Sequence, residues 1–170
     1  MALPVDTKAA PHRELRFAAF DDILAEVERI EAGVIAGTAT ITGNWSVGEI
    51  GEHCAEFIAF ACDGFPKKLP WPIRVIARAM ILPTLDKDKP MPTGITLPKG
   101  AAYLLPTPGI SDAEGIGELR KELKRVLAGR EMTQPSPLLG PLTHEQWTRL
   151  QCKHCAMHLG FVRPDGTGDA

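Results

Sequence analysis

Two histidines one helical turn apart, His154 and His158, and a third far upstream, His53, are the side chains with the most chemistry to offer. A His-x3-His pair on a helix lets two neutral imidazoles reach one ion across a single turn. On a wheel of about 100° per residue with Trp147 at zero, His154 falls near −20° and His158 near +20°. Both are centred on the apolar stripe of Trp147, Leu150 and Phe161. Counted in the same way from Ile50, His53 falls at roughly −60°, beside the core face of Phe57 and Cys54. A lone inward histidine is most simply a hydrogen-bonded core residue. Three of them on two helices make a set that can ligate a transition metal.

Other reactive types are arranged less favourably. Cys152 and Cys155 have the spacing of a redox dithiol or of two zinc thiolates. On the helix wheel, however, Cys152 turns roughly 140° from Trp147, away from the histidines, and no strand precedes the pair as a thioredoxin-like motif requires. All four cysteines, Cys54 and Cys62 included, are expected to be small buried hydrophobes. Glu49, one turn before His53, and Glu56, three residues after it, are candidates to orient that imidazole from behind. Glu49 also has a simpler role in a helix cap, described below. His12 and His144 are expected at the solvated surface. The chain contains no glycine-rich phosphate loop and no serine elbow.

Positioning these residues falls to four amphipathic helices. Phe17, Phe20, Ile23, Leu24, Val27 and Ile30 recur at three- and four-residue steps, which predicts a first helix over residues 13–35. Ser46 with Glu49 forms a capping box, flanked by Trp45 and Ile50 as a staple, and opens a second helix that ends at Gly64. Ser111 with Glu114 opens a third, stopped near Gly129. Thr143 with Gln146 opens a fourth, with Leu142 and Trp147 as its staple, running to about Gly160. Nine of the fifteen prolines lie between Pro66 and Pro108. Proline removes amide donors, so that stretch reads as an extended but ordered crossover, interrupted by one short helix over residues 72–82. A structureless loop of that length is unusual in a compact domain, so the crossover is expected to pack across the helices or to form a lid. The class is all-α, a four-helix bundle, and bundles build metal sites on facing helices.

Composition narrows the function. The 170 residues, 44% hydrophobic and 24% charged, fit one soluble globular domain. The expected division is an extension over 1–12, the domain over 13–164 and a tail over 165–170. A net charge of −2 gives no reason to expect nucleic acid or an anionic membrane as partner. The most apolar stretch, residues 71–83, is broken by Arg74 and Arg78 and is shorter than the ~20 residues of a membrane span. The first twenty residues lack the apolar run of a signal peptide, so the expected location is the cytoplasm.

Trp45-Ser46 followed by His53, Gly64-Phe65-Pro66 after the second helix, Gly140-Pro141-Leu142-Thr143 with Trp147, and His154-x3-His158-Leu159-Gly160-Phe161 occur in an order and spacing that resembles the DinB/YfiT-like superfamily of metal-dependent enzymes. More closely, the chain resembles a domain-of-unknown-function branch of that superfamily, from Arg13 to about Pro164. The resemblance implies an up-up-down-down bundle with a three-histidine metal site, matched here by His53, His154 and His158. Better-known members of that superfamily are thiol-dependent S-transferases and a thiol-dependent isomerase, and the resemblance selects neither one of these activities nor a substrate.

Three histidines without a fourth protein ligand are the arrangement of a catalytic site rather than a closed structural one. A cation held there acidifies a water or thiol, so an activated nucleophile at neutral pH is expected. Zinc or nickel is the expected ion, with iron and manganese compatible. The expected partner is a small-molecule substrate, with a low-molecular-weight thiol as the candidate co-substrate, and the protein is expected to be a monomer or homodimer. The alternative is a non-catalytic metal-binding or interaction bundle.

Overall fold

The computed structural model describes residues 4–67, 70–87, 89–94 and 99–166. Residues 68, 69, 88 and 95–98 of the proline-rich stretch, and the last four residues of the expected tail, lie outside the described residues. The described chain is mostly helical: α1 (Phe20–Ala36), α2 (Val47–Asp63), α3 (Trp71–Ile81), α4 (Asp112–Leu127) and α5 (His144–Leu159).

Three helix starts are local events and fall where the capping residues put them. The hydroxyls of Ser46, Ser111 and Thr143 accept from the backbone N–H groups of Glu49, Glu114 and Gln146. Two of these close reciprocally, because Glu49 Oε2 accepts from Ser46 N and Gln146 Oε1 from Thr143 N. Each such cap holds a helix end by about 1 kcal/mol.

The first helix starts later than its periodicity predicts. Residues 13–19 are not helical, because Arg13 spends its polar groups on the far end of the chain. Its N–H donates to Gly160 O at 2.9 Å, its Nε to Val162 O at 2.6 Å and its Nη2 to Glu26 at 2.5 Å. The Asp22 carboxylate accepts from Ala18 and Ala19 N–H and so starts α1 at Phe20. The same end of the molecule carries a feature absent from the all-α expectation, an antiparallel pair of two-residue strands, β1 (Thr40–Ile41) and β2 (Val162–Arg163). Two-residue strands leave no alternation to read.

The core is formed by the inner faces of α1, α2, α4 and α5, with Ile23, Val27 and Ile30 facing Ile50, Ile58, Ile116, Leu119, Leu123, Trp147 and Leu159, all nearly or fully inaccessible. Each such aliphatic side chain contributes about 1.5–3 kcal/mol by leaving water. Contacts join α2 to α4 and α5, and α1 to the same two helices. The α2/α4 contact is the closest, because glycines meet there: a Cβ on Gly51 would stand 2.6 Å from the Gly115 carbonyl carbon, and one on Gly115 would strike Gly48 O.

Between α2 and α4, the short helix begins at Trp71, one residue before Pro72, and is followed by 3-10 turns at Leu82–Thr84 and Lys99–Leu104. The rest is irregular where described, yet tied down. Lys153 of α5 donates to the carbonyls of Thr84, Lys87 and Lys89, and Thr107 N donates to the buried carboxylate of Glu52 on α2. Among the described residues no helix is long and apolar enough to cross a membrane.

Candidate metal centre

His53 projects from the middle of α2, while His154 and His158 project one turn apart from the C-terminal half of α5. The fold brings the three together: one ligand atom from each lies within 4.8 Å of the others. Ring centroids are 5.0 Å apart for His53 and His154, 4.5 Å for His53 and His158, and 4.6 Å for His154 and His158. His53 and His154 are buried, 5% and 8% exposed, and His158 is partly buried.

Tautomers follow from the bonds. His53 Nδ1 lies 2.7 Å from the carbonyl oxygen of Leu104, which can only accept, so Nδ1 carries the proton and Nε2 keeps its lone pair. That Nε2 faces Nε2 of His154 at 3.2 Å. Two imidazole nitrogens each at 2.0–2.1 Å from one tetrahedral ion would be about 3.4 Å apart. The His53 and His154 nitrogens therefore already stand at the spacing of two ligands of one divalent cation, and His158 offers a third nitrogen within 4.8 Å of both. His154 Nδ1 is buried and has no hydrogen-bond partner among the described residues.

Electrostatics keep the rings neutral. Burial pushes the His53 pKa down to about 4, against the Leu104 carbonyl and the nearby charge of Glu52, which push it up. Burial holds His154 well below the usual histidine value, helped by His53. His158 is lowered by burial first, then by His154, His53 and His12. Neutral imidazoles are the form that ligates.

The walls are aromatic. The indole of Trp45 stacks on His158 with centroids 5.3 Å apart and planes at 10°, and is tilted against His53 at 4.9 Å. Phe57 covers His154 at 4.5 Å. Trp45, assigned by its spacing to a helix staple, is thus also a wall of the histidine cluster.

The two candidate orienting carboxylates are engaged elsewhere in the structure or lack a bond to the ring. Glu49 closes the Ser46 cap through Oε2 and accepts from Gly109 N at 3.3 Å through Oε1. Glu56 is half-buried and its pKa is raised, by burial first and then by Glu52 and Glu118. The group that orients His53 is the Leu104 carbonyl. A main-chain acceptor has no sequence signal, and Glu52, which tethers Thr107 and biases His53, carried none either.

Two further histidines differ from their expected surface role, since both are partly buried and bonded. His12 Nε2 lies 2.8 Å from Met157 O, and its ring meets Phe161 edge-on. His144 Nδ1 accepts from Met132 N at 3.1 Å.

The cysteines regroup. All four are buried and free. The Cys155 thiol lies beside that of Cys54 across the helices, and these two sulfurs with His154 form a second trio within 4.8 Å. The Cys54 contact and then burial raise the Cys155 pKa, and burial pushes Cys152 up to about 12. Protonated, enclosed thiols are poor nucleophiles, in keeping with a packing role.

A family described as a protein of unknown function (DUF1569) has a model that matches residues 9–165, most of the chain and all three histidines. No curated protein and no solved structure matches the chain.

Proposed function

The chain belongs to the DUF1569 family, and from that premise we propose that it is a metal-dependent enzyme whose single divalent cation is held by His53, His154 and His158. The observation that carries this reading is the pair of Nε2 atoms facing each other at 3.2 Å, with His53 fixed as a lone-pair donor by Leu104. Zinc or nickel is the proposed ion, and it would supply acidification of a water or small thiol at neutral pH. The reaction class is S-transfer through a low-molecular-weight thiol, one of the activities of the better-known members of the DinB/YfiT-like superfamily that the chain resembles. In this reading α1, α2, α4 and α5 form its up-up-down-down bundle, with residues 66–108 as crossover and lid. The protein's own residues orient and exclude: Leu104 sets the His53 tautomer, while Trp45 and Phe57 keep bulk water from the rings.

One observation favours a second reading, a metal-binding bundle without turnover. His53 and His154 are nearly inaccessible and lie against Trp45 and Phe57, respectively. Cobalt(II)-loaded protein titrated with a small thiol separates the two. A saturable sulfur-to-cobalt absorption band marks an exchangeable position and supports the enzyme. Cobalt that raises the melting temperature while giving no thiol band supports the inert bundle. Failure to take up cobalt at all contradicts both.

A further inference from the structure

Helix α3 is sorted inside out. Its only charged residues are Arg74 and Arg78, and both are turned toward the body, beside Ala77 and Ile81, which pack on the core. Arg78 Nη1 donates to the carbonyls of Leu139 at 2.8 Å and Pro141 at 2.6 Å. The Arg74 guanidinium lies over Gly140, where a Cβ would meet Nη2 at 2.9 Å and where φ is 73°. Every exposed residue of the helix is apolar, and the large ones range from 49% exposed at Ile73, through Val75, Ile76 and Met80, to 71% at Trp71. Helices on a protein surface normally show the opposite arrangement.

We propose that this face is the interface of a homodimer, with α3 of one chain packed on α3 of a second copy about a two-fold axis. An isologous contact needs a patch complementary to itself. A face with no charge and no polar side chain meets that condition, because neither copy presents a group that requires an opposite one. The exposed apolar area is on the order of 600 Å² per chain, at the upper end of what a lone monomer carries and most of the ~800 Å² a standard interface takes from each partner. Ile76, at the middle of the helix, stands nearest the axis and meets its own counterpart. A lipid surface fits less well. Interfacial helices pair their apolar side with outward cations, whereas here Arg78 is bonded inward, Arg74 lies over Gly140, and the chain carries a net charge of −2.

The test is sedimentation of the full chain at micromolar concentration, wild type beside Ile76→Glu, with far-ultraviolet circular dichroism as the control for folding. The expected result is a dimer for wild type and a folded monomer for the variant, its self-association weakened roughly tenfold or more by a buried carboxylate. A second variant, Ile76→Cys, keeps the inference testable should the glutamate prevent folding. The four native cysteines are buried, so a short bis-maleimide is expected to link Ile76→Cys into covalent dimers and leave wild type unlinked. A monomeric wild type, a dimer untouched by Ile76→Glu, an unlinked Ile76→Cys, or wild-type monomer that pellets with phosphatidylserine vesicles would each overturn the proposal.

Discussion

The histidine face between α2 and α5 and the outer face of α3 break the same rule in opposite directions. At the first, three polar rings are packed inside among aromatic walls, and His154 Nδ1 has no bond among the described residues. At the second, apolar side chains stand outside while two arginines point in, and Arg74 Nε is buried with no bond among the described residues. Burying a polar atom or exposing a broad apolar face costs free energy unless something binds there. The chemistry of each surface then says what binds. Neutral lone pairs converging within 4.8 Å suit a cation, and a featureless apolar strip suits a copy of itself. Reversed sorting points to function only where the groups involved converge on one chemistry.

The largest blow to one region without the other comes from the frame behind His53. Gly115→Ala pushes a methyl group into Gly48 O and the α2 backbone, where neither side can yield. The expected loss is about 3 kcal/mol or more, measured by urea unfolding, because overpacking here moves main chain rather than a flexible side chain. Cobalt uptake by the histidines should fall with it, whereas cross-linking through an α3 cysteine should survive in whatever fraction remains folded.

Next in size is the pH response of metal-free protein. His53 titrates at about 4 when folded and near 6.5 when unfolded, so below pH 6.5 the unfolded chain binds the extra proton. Its contribution is therefore neutral at pH 7 and turns progressively destabilising as pH falls toward 4. At about pH 5 the expected penalty from His53 alone is about 2 kcal/mol. Chemical denaturation in the presence of a chelator measures it, and His53→Phe should flatten the slope between these pH values. The α3 region has no group of this kind, so Ile76→Glu should leave the slope unchanged.

The smallest effect sharpens the contrast. If α3's outer face serves only another molecule, Ile76→Glu should change the stability of dilute, monomeric protein by no more than about 0.5 kcal/mol. An equally polar substitution at the buried Ile50 should instead prevent folding.

How far the sequence carried these conclusions differs between the two regions for physical reasons. Helix caps are made of neighbours, so Ser46, Ser111 and Thr143 placed three helix starts within one residue. Helical periodicity likewise put His53, His154 and His158 on inward faces. It failed at residues 13–19, where the apolar spacing suited a helix but Arg13 found better partners in Gly160 and Val162 at the other end of the chain. The tautomer of His53 depends on a carbonyl at Leu104, and the seat of α3 on carbonyls at Leu139 and Pro141. Main-chain acceptors look alike in every sequence. The close approach of Gly48, Gly51 and Gly115 is a property of two helices meeting, and the partner of Cys155 proved to be Cys54 on another helix rather than its neighbour Cys152.

The measurement that bears most directly on the central claim is the metal content per chain of freshly purified protein by elemental mass spectrometry, wild type against His154→Ala. His154 is one corner of the triangle of rings and its Nε2 lies 3.2 Å from that of His53, so its loss removes one candidate ligand. Near-stoichiometric zinc or nickel in wild type and almost none in His154→Ala is the predicted result. Two proteins equally free of metal after growth in metal-replete medium, and equally stable, would contradict it.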